Sequence, residues 1–250
     1  MTIFASYKNA LKLGVGVFAL GLAISAGFAL QVKKQNNQFV SKSLEDVSLQ
    51  ITNNITDRFK LYQYGLRGAR GIIYTAGEEL SRAKFIKYSL TRELNVEFPG
   101  ARGFGFIRRV DKQDEAQFIA QAQQDDWPNF AIRQLTPHDD ERYIIQYIEP
   151  VERNYSAVGL DIASEDNRKT AAKEAYLSGE VRLTGPITLV QATGNPLQAF
   201  LILMPIYQTG NTPLTPELRE QHAFGFSYAP LVANEVFNDL SLLRKTNRSA

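Results

Sequence analysis

Residues 13–32, LGVGVFALGLAISAGFALQV, carry no charged side chain, and lysines flank them on both sides: Lys8 and Lys12 before, Lys33 and Lys34 after. At about 1.5 Å of rise per residue, roughly twenty such residues cross a hydrocarbon core of about 30 Å. Two readings fit, an uncleaved anchor over 13–32 and a cleaved secretory signal. The run is longer than an ordinary signal core. Ala23-Ile24-Ser25 is a poor cleavage site, and no clean Ala-x-Ala follows. The anchor is therefore adopted, and either reading exports what comes next. The flanking lysines and the unbroken apolar surface argue against a buried helix of a soluble protein. Positive-inside counting is nearly balanced, so the simpler topology is taken. Residues 1–12 form a cytoplasmic tail, and residues 33–250 lie outside the cell (inner) membrane, in the periplasm or the extracellular space.

Of 28 lysines and arginines, four lie in residues 1–34 with none of the 26 acids, which leaves the remainder at 24 against 26, a net of −2. That is not the basic field that grips a phosphate backbone, so no nucleic-acid partner is expected. The chain has no cysteine, which excludes disulfide scaffolds, thiolate metal sites and thiol catalysis. His138 and His222 are the only histidines, too few for a multi-histidine metal centre. No cofactor is expected. Fifteen Phe, eleven Tyr and one Trp are enough to fill a sizeable core.

Beyond the apolar run, Val40, Leu44, Val47, Ile51, Ile55, Phe59, Tyr62 and Leu66 recur at spacings of three and four. This predicts a stalk helix over 33–75, about 55 Å long if continuous. Its apolar stripe faces a second copy, its own domain, or each in turn along its length. A second helix is predicted over 77–97, ended by Phe98-Pro99-Gly100. GFGFIRRV (103–110) alternates glycine with aromatics, as a strand does where another backbone approaches closely. A short helix follows over 111–124, with Asp111 as its cap. FAIRQL (130–135) and RYIIQYIEPV (142–151) read as strands around the turn at 136–141. Ser164 caps a helix over 165–178 that Gly179 stops. Strands over 181–192 and 198–208 form a hairpin across the middle of a sheet, joined at 193–196. Residues 211–221 read as a loop with a capped helical turn, and 222–243 as strand then helix. The fold class is α+β, an antiparallel sheet with flanking helices in the manner of PAS-like sensors.

Chemistry is sparse. The phosphate-loop, nucleophile-elbow, zinc-protease and dinucleotide patterns are all absent. His138-Asp139-Asp140-Glu141 could hold a metal or serve as a base, but adjacent residues on one turn rarely converge, so a solvated turn is the expectation. The two arginines Arg67 and Arg70 read as ion-pair partners on a helix with small residues between them. Asp161 and Arg168 read as a cap or ion pair at a helix start, or as ligand contacts. Thr184, just before Gly185-Pro186, points into a pocket or satisfies a strand edge. No catalytic constellation stands out, so the chain is not expected to be an enzyme.

Several segments together resemble the CHASE domain family. They are Tyr143 to Pro150; Gly159-Leu160-Asp161; Ser164 with Arg168; Ala172, Ala175 and Gly179; Leu183-Thr184-Gly185-Pro186-Ile187; and Met204-Pro205-Ile206-Tyr207. Pro99 to Phe106 and Phe224-Gly225-Phe226 agree, so the likeness covers roughly 60–243. The resemblance implies an extracytoplasmic sensory module of receptor histidine kinases, diguanylate cyclases and related membrane enzymes. It also implies a stalk helix carrying tandem PAS-like lobes, dimerised through the stalk, with a small ligand in the membrane-distal lobe. On this basis residues 76–210 are assigned to the distal lobe and 211–250 to the start of an incomplete proximal lobe. A second span and an output domain would follow in a longer receptor. In plant members the ligand is a cytokinin, an adenine derivative held by an aspartate, whose place here falls at Glu141 or a neighbour. The threonine of the family's pocket matches Thr184.

The expected function is small-molecule sensing, with a ligand, purine-like by the resemblance, lined by Glu141, Tyr143, Tyr147, Thr184 and Leu203. The expected partners are the ligand, the membrane and a second copy of the chain. The alternative is a membrane-anchored protein-interaction module that keeps no pocket.

Overall fold

The structure is a computed structural model that describes residues 3–189 and 198–237, with side chains from residue 12. It divides into two units, Met1–Ile55 and Thr56–Ala250. A single helix, α1 (Ile3–Ala76), supplies all of the first unit's described structure and the opening turns of the second. It is the one helix among the described residues long and apolar enough to cross a membrane, with a window of mean hydropathy 2.1 that nothing buries. Further along the first unit, Val40, Leu44, Val47 and Ile51 also stand exposed. In the second unit the same spacing continues through Tyr62, Leu66, Ala69 and Ile73, and all four are fully buried. The stripe therefore serves its own domain from Thr56 onward and is left uncovered before it.

α1 ends at Gly77, whose φ of +52 lies in the left-handed region open to glycine. The single helix expected over 77–97 is broken into a 3₁₀ turn (Gly77–Glu79), α2 (Arg82–Ser89) and α3 (Leu94–Glu97). The cause is local hydroxyl chemistry. Ser81 caps α2, its Oγ accepting from Lys84 N at 3.3 Å. Ser89 and Thr91 then donate back to the carbonyls of Ile86 and Tyr88, each at 2.7 Å, where the helix stops.

The remaining elements are β1 (Phe104–Val110), α4 (Glu115–Gln124), β2 (Arg142–Glu149), α5 (Asp166–Ser178), β3 (Arg182–Leu183), β4 (Ile187–Thr188), β5 (Gln198–Tyr207), α6 (Pro216–His222) and β6 (Ala223–Val232). The six strands make one antiparallel sheet in the order β2-β1-β6-β5-β3, with β4 also on β5. Residues 211–250 were expected to open a second lobe. Instead β6 is central to this sheet, with Tyr228 paired to Gly105 on one side and Leu203 on the other. Its burial on both faces explains the difference, because such a strand needs neighbours on both sides. The hairpin of the third and fifth strands accordingly sits at the edge, and its joining residues 193–196 fall outside the described residues, as do 238–243.

Alternate residues of the central strands face opposite layers. On one face Ile202, Met204, Ala229 and Leu231 pack with Tyr62 and Leu66 of α1. Ile206, Phe106 and Tyr147 join Ala69, Ile73 and Phe85 beside them. On the other face Leu201, Leu203, Phe226 and Tyr228 pack with Ala171, Ala172, Ala175 and Tyr176 of α5 and with Phe118 of α4. The expected close backbone approach holds at two glycines. A Cβ on Gly105 would sit 2.4 Å from the Tyr147 carbonyl, and one on Gly225 2.1 Å from that of Ile107.

FAIRQL forms no strand. Only Arg133 bridges, to Leu160, while Leu160 itself covers the free edge of β2 through Ile145 N at 3.0 Å. Glu165 rather than Ser164 caps α5, its carboxylate accepting from the Asn167 and Arg168 amides at 3.0 and 3.2 Å. Gly179 stops that helix with φ +78, as expected. The capped helical turn expected within 211–221 is α6, with Thr215 as its cap and Pro216 in its first turn.

Candidate ligand-binding site

The α5 face of the sheet gathers four of the five residues expected to line a pocket. Leu203 is fully buried on β5, and Tyr143 on β2 is buried beside Tyr176 and Phe226, with ring centroids 6.4 and 5.7 Å away. Glu141 sits at the mouth of this face. Its carboxylate accepts from the Tyr143 hydroxyl and from Arg109 Nε, both at 2.5 Å. Burial, reinforced by the charge and hydrogen bond of Glu141, holds the Tyr143 phenol well above its ordinary pKa, so it remains a donor.

Thr184 is buried, and its Oγ accepts from Leu201 N at 2.9 Å while its own amide donates to the Leu201 carbonyl at 3.0 Å. The strand breaks here because Pro186 has no amide to donate. The hydroxyl replaces a missing ladder acceptor between β3 and β4. Of the two readings open for Thr184, the strand-edge one describes this bond. Gly185 then brings the segment against α5, where a Cβ would lie 3.2 Å from Asn167 Oδ1.

Tyr147 is not with the others. Tyr143 and Tyr147 are four apart and would share a face in a regular strand. The β1–β2 register shifts between Phe106 and Ile107, so that Ile107 faces Ile145 and Phe106 faces Tyr147. Gln146 is the extra residue of this bulge, and it turns Tyr147 to the α1 face. There its hydroxyl donates to Asp125 and lies 3.2 Å from the Leu80 carbonyl, beside a crevice of about 20 Å³, room for one water. Burial first, then the Asp125 hydrogen bond, raises its pKa well above the ordinary phenol value.

The acidic turn disperses. Asp139 pairs with Lys112, Asp140 with Lys169 and Glu141 with Arg109, while His138 turns inward. Its Nε2 lies 2.8 Å from Oδ2 of Asp161, which is fully buried. Asp161 also accepts from Tyr143 N at 2.9 Å and Ala163 N at 3.0 Å. Arg142 reaches the same group, with Nη1 2.7 Å from the His138 carbonyl and Nε 2.8 Å from Glu115. His138 is thus part of a buried polar tie rather than a solvated turn residue. Nothing in the spacing of His138 and Asp161, 23 positions apart, signals this. Among the described residues no group of three or more acids and histidines gathers as a metal site requires.

Among the described residues, two buried side-chain atoms have no hydrogen-bond partner, Tyr228 Oη and Arg168 Nε. Both belong to the α5 face.

A long apolar helix followed by an antiparallel sheet with helices on both faces matches what the motifs imply, and the family comparison decides it. The CHASE domain model matches residues 78–249. The chain belongs to the CHASE domain family. Membership makes the folded part of the chain an extracytoplasmic sensory region of a signalling receptor, and CHASE domains bind small-molecule ligands in sensing. With one candidate apolar N-terminal helix, the chain is consistent with a single-pass membrane protein. No curated protein matches the chain.

Proposed function

We propose that residues 33–250 are the ligand-sensing region of a membrane-anchored receptor, held outside the inner membrane by residues 13–32. The receptor's output is a histidine kinase or diguanylate cyclase, and this part of it is not itself an enzyme. The observation that carries the reading is the CHASE match over 78–249, with a charge-free apolar run at 13–32 before it. The antiparallel strand order β2-β1-β6-β5-β3, with helices over the sheet, supports a PAS-like sensor lobe. The ligand sits between the α5 face and its covering helices. Glu141, Tyr143, Thr184 and Leu203 lie there, and a small apolar-walled site with a few fixed polar groups suits such a molecule.

The route outward is one strand thick. Tyr228 faces α5, while its neighbour Ser227 faces α1 and donates to the Leu66 carbonyl at 3.0 Å. A ligand that favours one setting of β6 therefore biases α1 by its difference in affinity for the two settings. The exposed stripe Val40, Leu44, Val47 and Ile51 supplies the dimer contact through which paired stalks act together.

The chain's lack of cysteine gives a direct test. Leu214 is 89% exposed on a loop. In intact cells or spheroplasts, Leu214→Cys is expected to react with a membrane-impermeant maleimide. Labelling only after lysis would overturn the proposed topology.

The interaction-module reading has one observation in its favour. An open cleft of about 500 Å³ between α2–α3 and the end of β2 exposes Leu90 and Val96. Stabilisation of the chain by small molecules separates the two readings.

A further inference from the structure

Two clefts of about 590 and 400 Å³ meet along α4, away from the pocket residues of the α5 face. Each has the size of a small-ligand site, about 300–1,000 Å³. Glu78, Arg108, Phe118 and Gln121 line both, so the two make one trough. One wall is the turn Gly77–Ser81 that leaves α1, and the other is the polar side of α4. Phe118 and Ala122 turn the apolar side of α4 into the core. Gln117, Gln121 and Gln124, spaced by four and by three, then fall in a row beside them along the trough.

Six of the chain's sixteen glutamines line this trough, drawn from four places. Besides the three on α4 they are Gln146 at the β2 bulge, Gln208 just after β5 and Gln221 in α6. The backbone amide of Gln208 donates to the His222 carbonyl at 2.9 Å, which ties the last two segments together. Gln146 spends its amide on the Tyr147 hydroxyl at 3.0 Å. The other five are exposed, and their side-chain amides take no partner among the described residues.

The charges lining the trough narrow what fits it. Arg108 stands where the clefts meet, 3.8 Å over the ring of Phe224 and with Nη2 2.7 Å from Glu78. Arg109 is engaged by Glu141 and the Glu220 carbonyl. Asp111, Asp114 and Glu220 bring carboxylates with no cationic partner among the described residues. An anion would meet these three acids and find both arginines occupied. A cation would meet Arg108 at the centre. An apolar molecule would strip water from the amides and give nothing back. A neutral polyol suits all of them, because each hydroxyl, like each side-chain amide, both donates and accepts. Its hydroxyls replace the water hydrogen bonds they displace.

We propose that this trough binds a neutral saccharide or sugar alcohol, with Gln117, Gln121 and Gln124 as its row of hydrogen-bonding partners and Arg108 at its centre. The site is separate from the α5-face site and does not depend on it. Since the wall Gly77–Ser81 directly continues α1, an occupant that spans the trough ties α4 to the end of that helix.

The test uses the full chain in micelles of a zwitterionic detergent, because sugar head groups would compete. The probes are glucose, N-acetylglucosamine, maltose, sucrose and mannitol, with glucuronate as the anionic counterpart and spermidine as a cation. Thermal unfolding and calorimetric titration supply the readouts. At least one neutral probe is expected to raise the melting temperature, and glucuronate to act less than glucose. Gln121→Ala, at a residue common to both clefts, is expected to weaken that probe about 5- to 10-fold. Gln121 is exposed, so the ligand-free melting temperature should not change. Gln113→Ala, at an exposed glutamine outside the trough, should leave binding intact. Silence from every neutral probe overturns the assignment. So does binding that both Gln121→Ala and Gln117→Ala leave intact, and so does a response to glucuronate or spermidine alone. Stabilisation by adenine that survives Gln121→Ala, with the neutral probes silent, overturns the trough while upholding the sensor.

Discussion

The two faces of the sheet are built from the same strands and spend their polar groups differently. Toward α1, Ser227 donates to Leu66, Tyr147 to Asp125, and Tyr62 to the Pro99 carbonyl. The apolar side chains between them are buried. Toward α5 the apolar side chains are buried as well, yet the two described buried side-chain atoms without partners both lie there. A layer that only has to hold a helix in place gains by satisfying every donor. A layer that must also receive a guest has to keep some donors in reserve, at a standing cost in stability. On the proposed function, the contrast separates a face that serves attachment from one that serves recognition.

Alkali acts on both faces at once and has the largest expected effect. Burial raises the phenols of Tyr143, Tyr147, Tyr207 and Tyr228 above the ordinary value of 10.0, Tyr207 to about 12. The folded state therefore holds these protons longer than the unfolded chain does. The stability they contribute is complete below pH 10.0 and is lost as pH rises through the folded values. Their ionisation, followed by absorbance near 295 nm, is expected to coincide with loss of near-ultraviolet circular dichroism. Ionisation of these four while that signal persists would show that one of the faces is open to water.

Asp161 sharpens the contrast from within the α5 face. Its carboxylate receives Tyr143 N, Ala163 N and His138. Asp161→Ala strands those donors in a buried site and is expected to cost about 3–5 kcal/mol, a large part of a typical domain's stability. Asp161→Asn keeps an acceptor and should cost clearly less. Chemical denaturation of both variants checks the order. Equal, small losses would mean that the polar tie is hydrated.

How much of this was legible in the sequence depends on the range of the cause. The apolar run, the stalk period, the glycine–aromatic alternation, the capped turn within 211–221 and the Gly179 stop are local, and each appears where its pattern places it. Three features depend on distant partners. Gln146 bulges because of the register β2 adopts against β1, and that slip carries Tyr147 away from the other four candidate residues. β6 lies in the middle of the sheet because both its faces and both its edges find partners there, which periodicity alone cannot assign. His138 folds onto an aspartate 23 residues away, with a run of acids beside it as a decoy. Of the site, the individual candidates were readable as polar or aromatic side chains on strands. Arg168 was legible as a helix-start arginine and Tyr228 only as one aromatic among many. That Arg168 Nε and Tyr228 Oη lack hydrogen-bond partners could be recognised only once the layer was assembled.

The smallest expected effect is the most pointed, because it puts the same chemical change on each face. Tyr147→Phe removes a hydroxyl that donates to Asp125 and lies 3.2 Å from the Leu80 carbonyl. Asp125 keeps the Arg82 amide at 2.8 Å, so the loss should be that of one good hydrogen bond, about 1–2 kcal/mol. For a domain of this size that is a few degrees in melting temperature, at about 2–4 °C per kcal/mol. Tyr228→Phe removes a hydroxyl with no partner. Its burial without a bond is a cost to the folded state, so its removal should leave stability unchanged or raise it by up to about 1 kcal/mol. The prediction is of opposite behaviour from one substitution at two tyrosines, measured on ligand-free protein in the same buffer. Should both variants lose stability alike, the Tyr228 hydroxyl is satisfied in solution, and the difference between the two faces disappears with it.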